Sequence, residues 1–182
     1  YAINPDVKII GSPWSCPQWM KGGSRYYEGY DEAALEKRFN SWTSGRLRPS
    51  CYDDYAEYFV KWIQTMEAEG FDIYAVTMQN EPLNHHNSMS LYMPWKDQLK
   101  FIKHLGPAIE KAGLDTKIML FDHNYNYDDK SDQNNYPLNI YADPEASKWA
   151  AGSAWHNYGG SVTELDEIYR TYPDKGIWFT EA

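Results

Sequence analysis

The chain has 182 residues, a formal net charge of −9, and 42% hydrophobic and 24% charged residues. This composition allows one domain with a substantial core and excludes a collagen-like or disordered chain. The excess of acidic residues argues against nucleic acid as a partner and against docking on an anionic membrane surface. The apolar stretches are too short for an integral membrane segment, and no signal peptide is visible.

Two residue counts leave alternatives open. Cys16 and Cys51 could form one disulfide bridge, or they could be small buried hydrophobic side chains. The 8 Trp, 16 Tyr and 6 Phe fit either a core of large side chains or a surface that stacks on flat apolar faces. Sugar rings have such faces, and Tyr and Trp suit them because each has an apolar body and a polar tip.

The first half of the chain begins an alternation of strands and helices. A strand is predicted at 7–10, and the polar, aromatic-rich stretch at 15–50 is too long for an ordinary connection, which favours a functional loop. Apolar residues then recur at spacings of three and four over 52–66, which predicts a helix that stops before Gly70. The β-branched and aromatic run at 73–78 predicts a buried parallel strand.

The second half of the chain continues the alternation. A helix is predicted at about 95–112, with a kink or break at Gly106-Pro107. Another helix is predicted at 164–172, with Thr163 as its N-cap. Three further strands are predicted, at 117–121, 151–155 and 176–180.

Five strands with helices between them indicate an α/β fold with parallel strands. A doubly wound sheet and a (β/α)8 TIM barrel both fit, although the sequence has no Gly-x-Gly-x-x-Gly or phosphate loop, which weakens the dinucleotide-binding version. The chain stops one residue after Glu181, inside a predicted strand. We therefore expect a segment of a longer protein, about five of the eight units of a barrel that needs about 250 residues.

Polar residues follow every predicted strand at its carboxyl end, where parallel α/β folds place their active sites. They are Ser12 and Trp14; Gln79, Asn80 and Glu81; Asp122, His123 and Asn124; His156, Asn157 and Tyr158; and Thr180 and Glu181. Taken singly, Glu81 could be a helix N-terminal acid and Glu181 a surface acid. Together on one rim, they indicate the two carboxyl groups that glycoside hydrolysis needs.

Two rival chemistries are less well supported. The five histidines could supply metal ligands together with Asp122 or Glu81, but no His-x-x-x-His, His-Glu-x-x-His or Cys-x-x-Cys spacing occurs, so no metal is predicted. His85 and His86 are adjacent and are most simply loop residues. The absence of a Gly-x-Ser-x-Gly sequence argues against a serine hydrolase.

Several motifs resemble glycoside hydrolase family 30. The run at 11–21, Gly-Ser-Pro-Trp-Ser-Cys-Pro-Gln-Trp-Met-Lys, resembles the signature after that family's third strand. The run at 73–82, which ends in Asn-Glu-Pro, resembles its fourth-strand motif. Later landmarks follow in the same order, namely Leu-Gly-Pro-Ala at 105–108, Ala-Trp-His-Asn-Tyr at 154–158 and Phe-Thr-Glu at 179–181.

The resemblance implies a fold and a set of site residues. Residues 1–182 would cover about strands 3 to 7 of a single (β/α)8 catalytic barrel, incomplete at both ends. Glu81 would be the acid/base and Glu181 the nucleophile of a retaining double displacement without a cofactor. The residues implied to line the sugar-binding subsite are Trp14, Asn80, His156 and Tyr158.

The resemblance also implies a substrate. Asp-His-Asn after the fifth strand and the Trp-His-x-Tyr run are most similar to the endo-β-1,6-glucanase branch, although many family members have Trp where this chain has Asn157. The leading hypothesis is therefore a retaining β-glycosidase that acts on β-glucan or a related glucoside. A glucosylceramidase-like exo-enzyme, a non-catalytic carbohydrate-binding protein and an unrelated doubly wound protein are the alternatives. The family habit implies secretion or periplasmic export.

Three expectations concern the two carboxyl groups. Because Glu81 follows a buried strand, partial desolvation is expected to raise its pKa. Because the fourth and seventh strands of a barrel lie on opposite walls, the carboxyl groups are expected about 5–5.5 Å apart, as in retaining enzymes. Donors to Glu181 are expected from Thr180, and from His156 or Tyr158.

Overall fold

The computed structural model describes residues 3–125 and 132–182. The strands in this part of the chain are β1 (Ile9–Gly11), β2 (Lys21–Gly22), β3 (Arg46–Leu47), β4 (Ile73–Thr77), β5 (Lys117–Asn124), β6 (Ala150–His156) and β7 (Gly176–Glu181). The α-helices are α1 (Glu32–Glu36), α2 (Tyr52–Ala68), α3 (Trp95–Lys111), α4 (Tyr136–Tyr141), α5 (Pro144–Ser147) and α6 (Leu165–Thr171). None of the described helices combines the length and apolar character needed to cross a bilayer.

Five of these strands form one parallel sheet, in the order β1-β4-β5-β6-β7. The strands β2 and β3 form a separate antiparallel pair. Since each strand of the parallel sheet lies beside the preceding one, the order never reverses. A doubly wound sheet reverses at a switch point, whereas a barrel adds its strands in sequence. The topology therefore fits part of a TIM barrel and corrects the doubly wound alternative.

The main core lies between the sheet and the two long helices. The apolar stripe of α2 is buried, and the ring of Tyr55 stacks on that of Phe101 from α3 with centroids 5.2 Å apart. A smaller cluster of Ala75, Met119 and Ala154 packs separately, with one residue from each of β4, β5 and β6. The two alanines leave room for Met119 between them, as the filled interior of a barrel requires.

All five predicted strands are present, with different ends. The first begins at Ile9 rather than residue 7, and the 73–78 run forms a strand only as far as Thr77. The strands β5, β6 and β7 continue to Asn124, His156 and Glu181. Most of the polar residues expected after these three strands are therefore held inside the hydrogen-bonded sheet, whereas Asn157 and Tyr158 follow β6.

The predicted helices differ from the structure in two details. The helix α3 runs through Gly106-Pro107 without the predicted break, and Trp149 packs so closely on Gly106 that a Cβ there would meet the indole ring at 2.3 Å. Thr163 is not the N-cap of α6: it lies within a short 3-10 helix at Val162–Glu164 that leads directly into α6, and Ser161 caps that 3-10 helix through a reciprocal capping box with Glu164.

The predicted functional loop at 15–50 contains elements that the sequence patterns did not reveal, namely α1 and the β2–β3 pair. The buried ammonium of Lys21 donates to the backbone carbonyls of Trp42, Ser44 and Ser90 at 2.6–3.0 Å. Burial lowers its pKa to about 8. These bonds tie the segment to the loop that follows β4.

The two cysteines are both buried and carry free thiols. Burial raises the pKa of Cys16 to about 12. The structure therefore favours the interpretation of both residues as small buried side chains over a disulfide bridge.

A buried ion pair also holds the 15–50 segment. In this pair, Nε and Nη2 of Arg46 donate to the two carboxylate oxygens of Asp97 at 2.8 and 2.7 Å. Asp97→Ala is expected to cost about 3–5 kcal/mol in the free energy of unfolding, because it leaves the guanidinium buried without its anion. Urea titration of the full-length protein measures this. The exposed pair of Glu57 and Lys61 is the control, and Glu57→Ala is expected to cost about 1 kcal/mol or less. Equal losses for the two variants would contradict the prediction.

Candidate active site

Two carboxylates and one histidine meet at the carboxyl-terminal edge of the parallel sheet. Glu81 follows β4, His156 ends β6 and Glu181 ends β7. One carboxylate oxygen of each glutamate and one ring nitrogen of His156 all lie within 4.8 Å of one another. The fold therefore brings together both glutamates and two of the four residues predicted to line the subsite, His156 and Tyr158.

The carboxylate of Glu81 is held on several sides. Its Oε2 accepts hydrogen bonds from the side-chain amides of Asn84 and Asn87, both at 2.8 Å, and its Oε1 lies 3.4 Å from Nδ1 of His156. Its backbone N–H donates to the carbonyl of Asp122 at 2.9 Å. Glu81 also has a φ of 46°, a left-handed conformation that non-glycine residues rarely adopt and that clusters at functional sites.

The pKa of Glu81 does not follow the expectation from burial. The hydrogen bond from His156 outweighs the effect of burial, and with the amide of Asn84 it lowers the pKa of the carboxyl to about 2. The predicted upward shift is therefore wrong. Desolvation raises the pKa of Glu81 as expected, but the hydrogen bond from His156 lowers it by more.

Glu181 lies beside Tyr158 and His156. The hydroxyl of Tyr158 donates to Oε1 at 3.1 Å, and Nε2 of His156 lies 3.6 Å from Oε2. The hydrogen bond to Glu181 raises the pKa of Tyr158. Two of the expected donors are thus in place, but the hydroxyl of Thr180 donates to Asp122 instead.

His156 is the positive centre of this cluster. Its side chain is buried, which by itself lowers its pKa, but its hydrogen bonds to Asp122 and Glu81 and the nearby charge of Glu181 raise the pKa to about 9. The ring is therefore an imidazolium at neutral pH. Glu81, His156 and Glu181 could offer one ligand atom each to a metal ion, but the imidazolium already supplies a positive charge among these carboxylates. The prediction that no metal is bound stays a prediction.

The two remaining predicted subsite residues lie where β1 and β4 end. The backbone N–H of Asn80 donates to the carbonyl of Pro13 at 2.9 Å, and the side-chain amide of Gln79 donates to the carbonyl of Trp14 at 2.8 Å. Asn80 is buried, whereas Trp14 is 41% exposed. Both residues are thus fixed to the same edge of the sheet as Glu81, and the indole is open to solvent.

Three residues of the site were not assigned their structural roles by the sequence interpretation. Asp122 was placed on the rim and considered only as a metal ligand, and its carboxylate is buried at the centre of the site, where His156 and Thr180 donate to it. Asn84 and Asn87 hold Glu81, and their signal in the sequence is an asparagine three and six positions after that glutamate. His85 and His86 lie in the same irregular loop, as predicted.

Comparisons with known proteins give a consistent result. The model of the glycosyl hydrolase family 30 TIM-barrel domain matches residues 1–182. The endo-1,6-β-D-glucanase of Neurospora crassa is 33% identical over 185 residues, which cover 99% of this chain and 34% of that protein. The solved structure of the endo-β1,6-glucanase BT3312 superposes with a TM-score of 0.91 at 55% identity, over 100% of this chain and 38% of that chain.

A second group of relatives carries a different name. The lysosomal acid glucosylceramidase of Mus musculus is 26% identical over 185 residues, which cover 97% of this chain and 33% of that protein. This chain thus spans about a third of the length of the curated relatives that it matches.

Proposed function

The chain belongs to glycosyl hydrolase family 30, and from this premise we propose that it carries both catalytic residues of a retaining endo-β-1,6-glucanase. The observation that carries the proposal is the close approach of Glu81 and Glu181. An oxygen of one carboxylate lies within 4.8 Å of an oxygen of the other. Inverting enzymes separate the two carboxyl groups by about 6.5–9.5 Å to admit a water, whereas retaining enzymes need only about 5–5.5 Å.

The surroundings of the two carboxylates support different roles. Glu181 accepts a hydrogen bond from Tyr158 and lies 3.6 Å from Nε2 of His156, so donors on two sides orient its carboxylate as a nucleophile requires. Glu81 shares the imidazolium with Asp122, so a proton is available beside it. Glu81 is therefore assigned as the acid/base and Glu181 as the nucleophile.

The reaction then proceeds in two balanced steps. An oxygen of Glu181 bonds to the anomeric carbon while the bond from that carbon to the leaving sugar's oxygen breaks, and Glu81 gives its proton to the leaving oxygen. In the second step Glu81 takes a proton from a water molecule. The water oxygen bonds to the anomeric carbon, and the bond from that carbon to Glu181 breaks. Two displacements restore the original anomeric configuration.

The proposed substrate is a β-1,6-linked glucan. The support is the 33% identity to a Neurospora crassa endo-1,6-β-D-glucanase and the 55% identity to the solved endo-β1,6-glucanase BT3312. A glucosylceramidase-like exo-enzyme is the second candidate, supported by the 26% identity to the mouse lysosomal enzyme. A carbohydrate-binding protein without catalysis is the third, because exposed aromatic side chains such as Trp14 and Tyr158 suit sugar stacking in either case.

A product profile of the full-length protein tests the proposal. The substrates are β-1,6-, β-1,3- and β-1,4-glucans, xylan and glucosylceramide. The expected result is a series of short β-1,6-linked oligosaccharides from the first of these alone. Release of single glucose units, or cleavage of glucosylceramide, would favour the exo-enzyme. Binding of glucans without products would favour the carbohydrate-binding protein.

The placement of this chain in the whole protein is part of the same proposal. We assign β1, β4, β5, β6 and β7 as strands 3 to 7 of a single catalytic barrel, which residues 1–182 cover in part. The sequential strand order and the share of the solved glucanase that this chain covers support that assignment. Action on an extracellular polysaccharide would suit a secreted or periplasmic protein.

Trp14 is expected to form an apolar wall of the subsite that holds the reacting sugar. Its exposed indole follows Pro13 at the end of β1, beside the backbone of Asn80. Trp14→Ala is expected to raise KM about tenfold or more and to leave the melting temperature nearly unchanged, because an exposed stacking face is lost. Steady-state kinetics and thermal unfolding measure the two effects. Unchanged kinetics with a lower melting temperature would indicate packing between barrel and loop instead, and Trp14→Phe is the control that keeps an aromatic face.

A further inference from the structure

We propose that Asp122 is a positioning residue that holds the imidazolium of His156 so that its Nδ1 proton is delivered to Glu81. This proposal rests on the proposed glycosidase function and adds a proton source for its acid/base. It assigns a role to a buried carboxylate whose two oxygens both accept hydrogen bonds from protein side chains.

The carboxylate of Asp122 on β5 is contacted by side chains from the three strands β4, β6 and β7 and by that of the residue that directly follows β1. Its Oδ1 accepts hydrogen bonds from Nε2 of His156 at 3.0 Å and from the hydroxyl of Thr180 at 2.8 Å. Its Oδ2 accepts from the hydroxyls of Ser12 at 2.5 Å and Thr77 at 2.8 Å. Thr77, His156 and Thr180 belong to β4, β6 and β7, and Ser12 directly follows β1.

The backbone of β5 is shaped to present this carboxylate. Phe121 and Asp122 both have left-handed φ values, of 69° and 72°, and the register between β5 and β6 shifts between Phe121 and His123. A bulge of this kind re-aims a side chain and is frequent beside active sites. Two strained residues in succession persist only where the surroundings fix them. The same carboxylate has a lowered pKa, because the donors that surround it outweigh its burial.

The contact with Asp122 sets which nitrogen of His156 can exchange a proton. With Nε2–H donated to Asp122, the other nitrogen, Nδ1, faces Oε1 of Glu81 at 3.4 Å. Such contacts are often long without substrate and shorten in the complex. In the proposed step the Nδ1–H bond breaks and the Oε1–H bond forms, which leaves neutral His156 still donating Nε2–H to Asp122. Glu81 then passes the proton to the leaving oxygen, and regains one from water in the second displacement.

The charges around His156 set the direction of its pH dependence. Glu81, Asp122 and Glu181 face the ring from three elements, and the rings of His123 and Tyr158 lie 6.3 and 6.2 Å away. Removal of the Asp122 charge disfavours the imidazolium, so the pair of Glu81 and His156 loses its shared proton at a lower pH. Since glycosylation needs that proton, the basic limb of the activity profile moves to lower pH.

Asp122→Asn in the full-length protein tests the proposal. The expected result is a loss in kcat of about 10²-fold or more on β-1,6-glucan with little change in KM, since the proton donor is misplaced. The basic limb should move down by about one pH unit or more. The loss should be much smaller on 2,4-dinitrophenyl β-glucoside, whose leaving group needs no proton. Asp97→Asn is the matched control, and it should lower stability without moving the pH profile, because Asp97 pairs with Arg46.

Two outcomes would overturn the proposal. One is an unshifted pH profile in Asp122→Asn together with equal losses on both substrates, which a merely structural role would give. The second outcome comes from ¹⁵N NMR of the histidines in the wild-type protein, which does not depend on whether Asp122→Asn folds. The His156 signals are assigned by their absence from the spectrum of His156→Gln. The expected spectrum has His156 protonated at neutral pH and its neutral form protonated at Nε2, and a neutral form protonated at Nδ1 would contradict the proposal. A wild-type protein inactive on every glucoside would instead refute the proposed function.

Discussion

Replacement of Glu181 by alanine is expected to lower kcat/KM on β-1,6-glucan by about 10⁴–10⁶-fold, the scale seen when the nucleophile of a covalent hydrolase is removed. Glu181 ends β7, where the hydroxyl of Tyr158 and the imidazolium of His156 approach its carboxylate. Alanine leaves these groups in place but removes the atom that bonds to the anomeric carbon. Glu167→Gln on the exposed face of α6 is the control, and it should retain wild-type activity.

A covalent label makes the same assignment by an independent measurement. A 2-deoxy-2-fluoro β-glucoside with a good leaving group should form a stable glycosyl ester, because the fluorine slows both displacements and the good leaving group restores the rate of the first alone. Mass spectrometry of a proteolytic digest should place the sugar on Glu181, and Glu181→Gln should remain unlabelled. A label on any other carboxylate would overturn the role proposed for Glu181.

The sheet and the rim were predictable because they depend on local patterns. Local patterns of a few residues predict these elements. Examples are the β-branched run at 73–78, which predicts a strand, and the periodic apolar stripe of α2, which predicts a helix. Parallel strands then place their carboxyl ends along one edge, so the sequence alone predicts that Glu81, His156 and Glu181 lie together. The ends of β5, β6 and β7 were placed one to three residues too early, because polar residues there look like loop residues in the sequence.

The contacts that organise the 15–50 segment were not predictable, because they link distant parts of the chain. Lys21 donates to Ser90, 69 positions away, and Arg46 pairs with Asp97, 51 positions away. Nothing local in the sequence distinguishes these two cations from the solvated lysines and arginines elsewhere. Their burial depends on the loop after β4 and on α3, which approach them only in the folded chain.

The pKa of Glu81 shows the same limit at the level of chemistry. The sequence indicated that a buried strand precedes Glu81, and burial does raise the pKa of a carboxyl. It did not indicate which way the ring of His156 turns, and that orientation decides the sign of the net shift. The orientation of the His156 ring is in turn held by its hydrogen bond to Asp122. The left-handed backbone conformation of Asp122 was not predictable from any sequence pattern.

Replacement of Glu81 by alanine is expected to lower kcat on β-1,6-glucan by about 10²–10⁴-fold, the usual contribution of a general acid or base. The first displacement should remain fast on 2,4-dinitrophenyl β-glucoside, because that leaving group departs without a proton. The glycosyl-enzyme should then accumulate, which gives a burst of dinitrophenolate followed by slow turnover. Glu81→Gln is the matched control, since it keeps the side-chain length, and it should lose the same activity. Wild-type rates on the glucan in either variant would contradict the assignment.

Azide separates the two glutamates by the stereochemistry of its product. In Glu81→Ala, azide should attack the glycosyl-enzyme from the face opposite Glu181, and it needs no general base, so turnover should rise and β-glucosyl azide should form. In Glu181→Ala, azide should occupy the space of the missing carboxylate and attack the β-glucoside directly, which gives α-glucosyl azide. Both outcomes follow from two carboxylates on opposite faces of one sugar. ¹H NMR of the products distinguishes the anomers, and the reverse pattern would exchange the roles of Glu81 and Glu181.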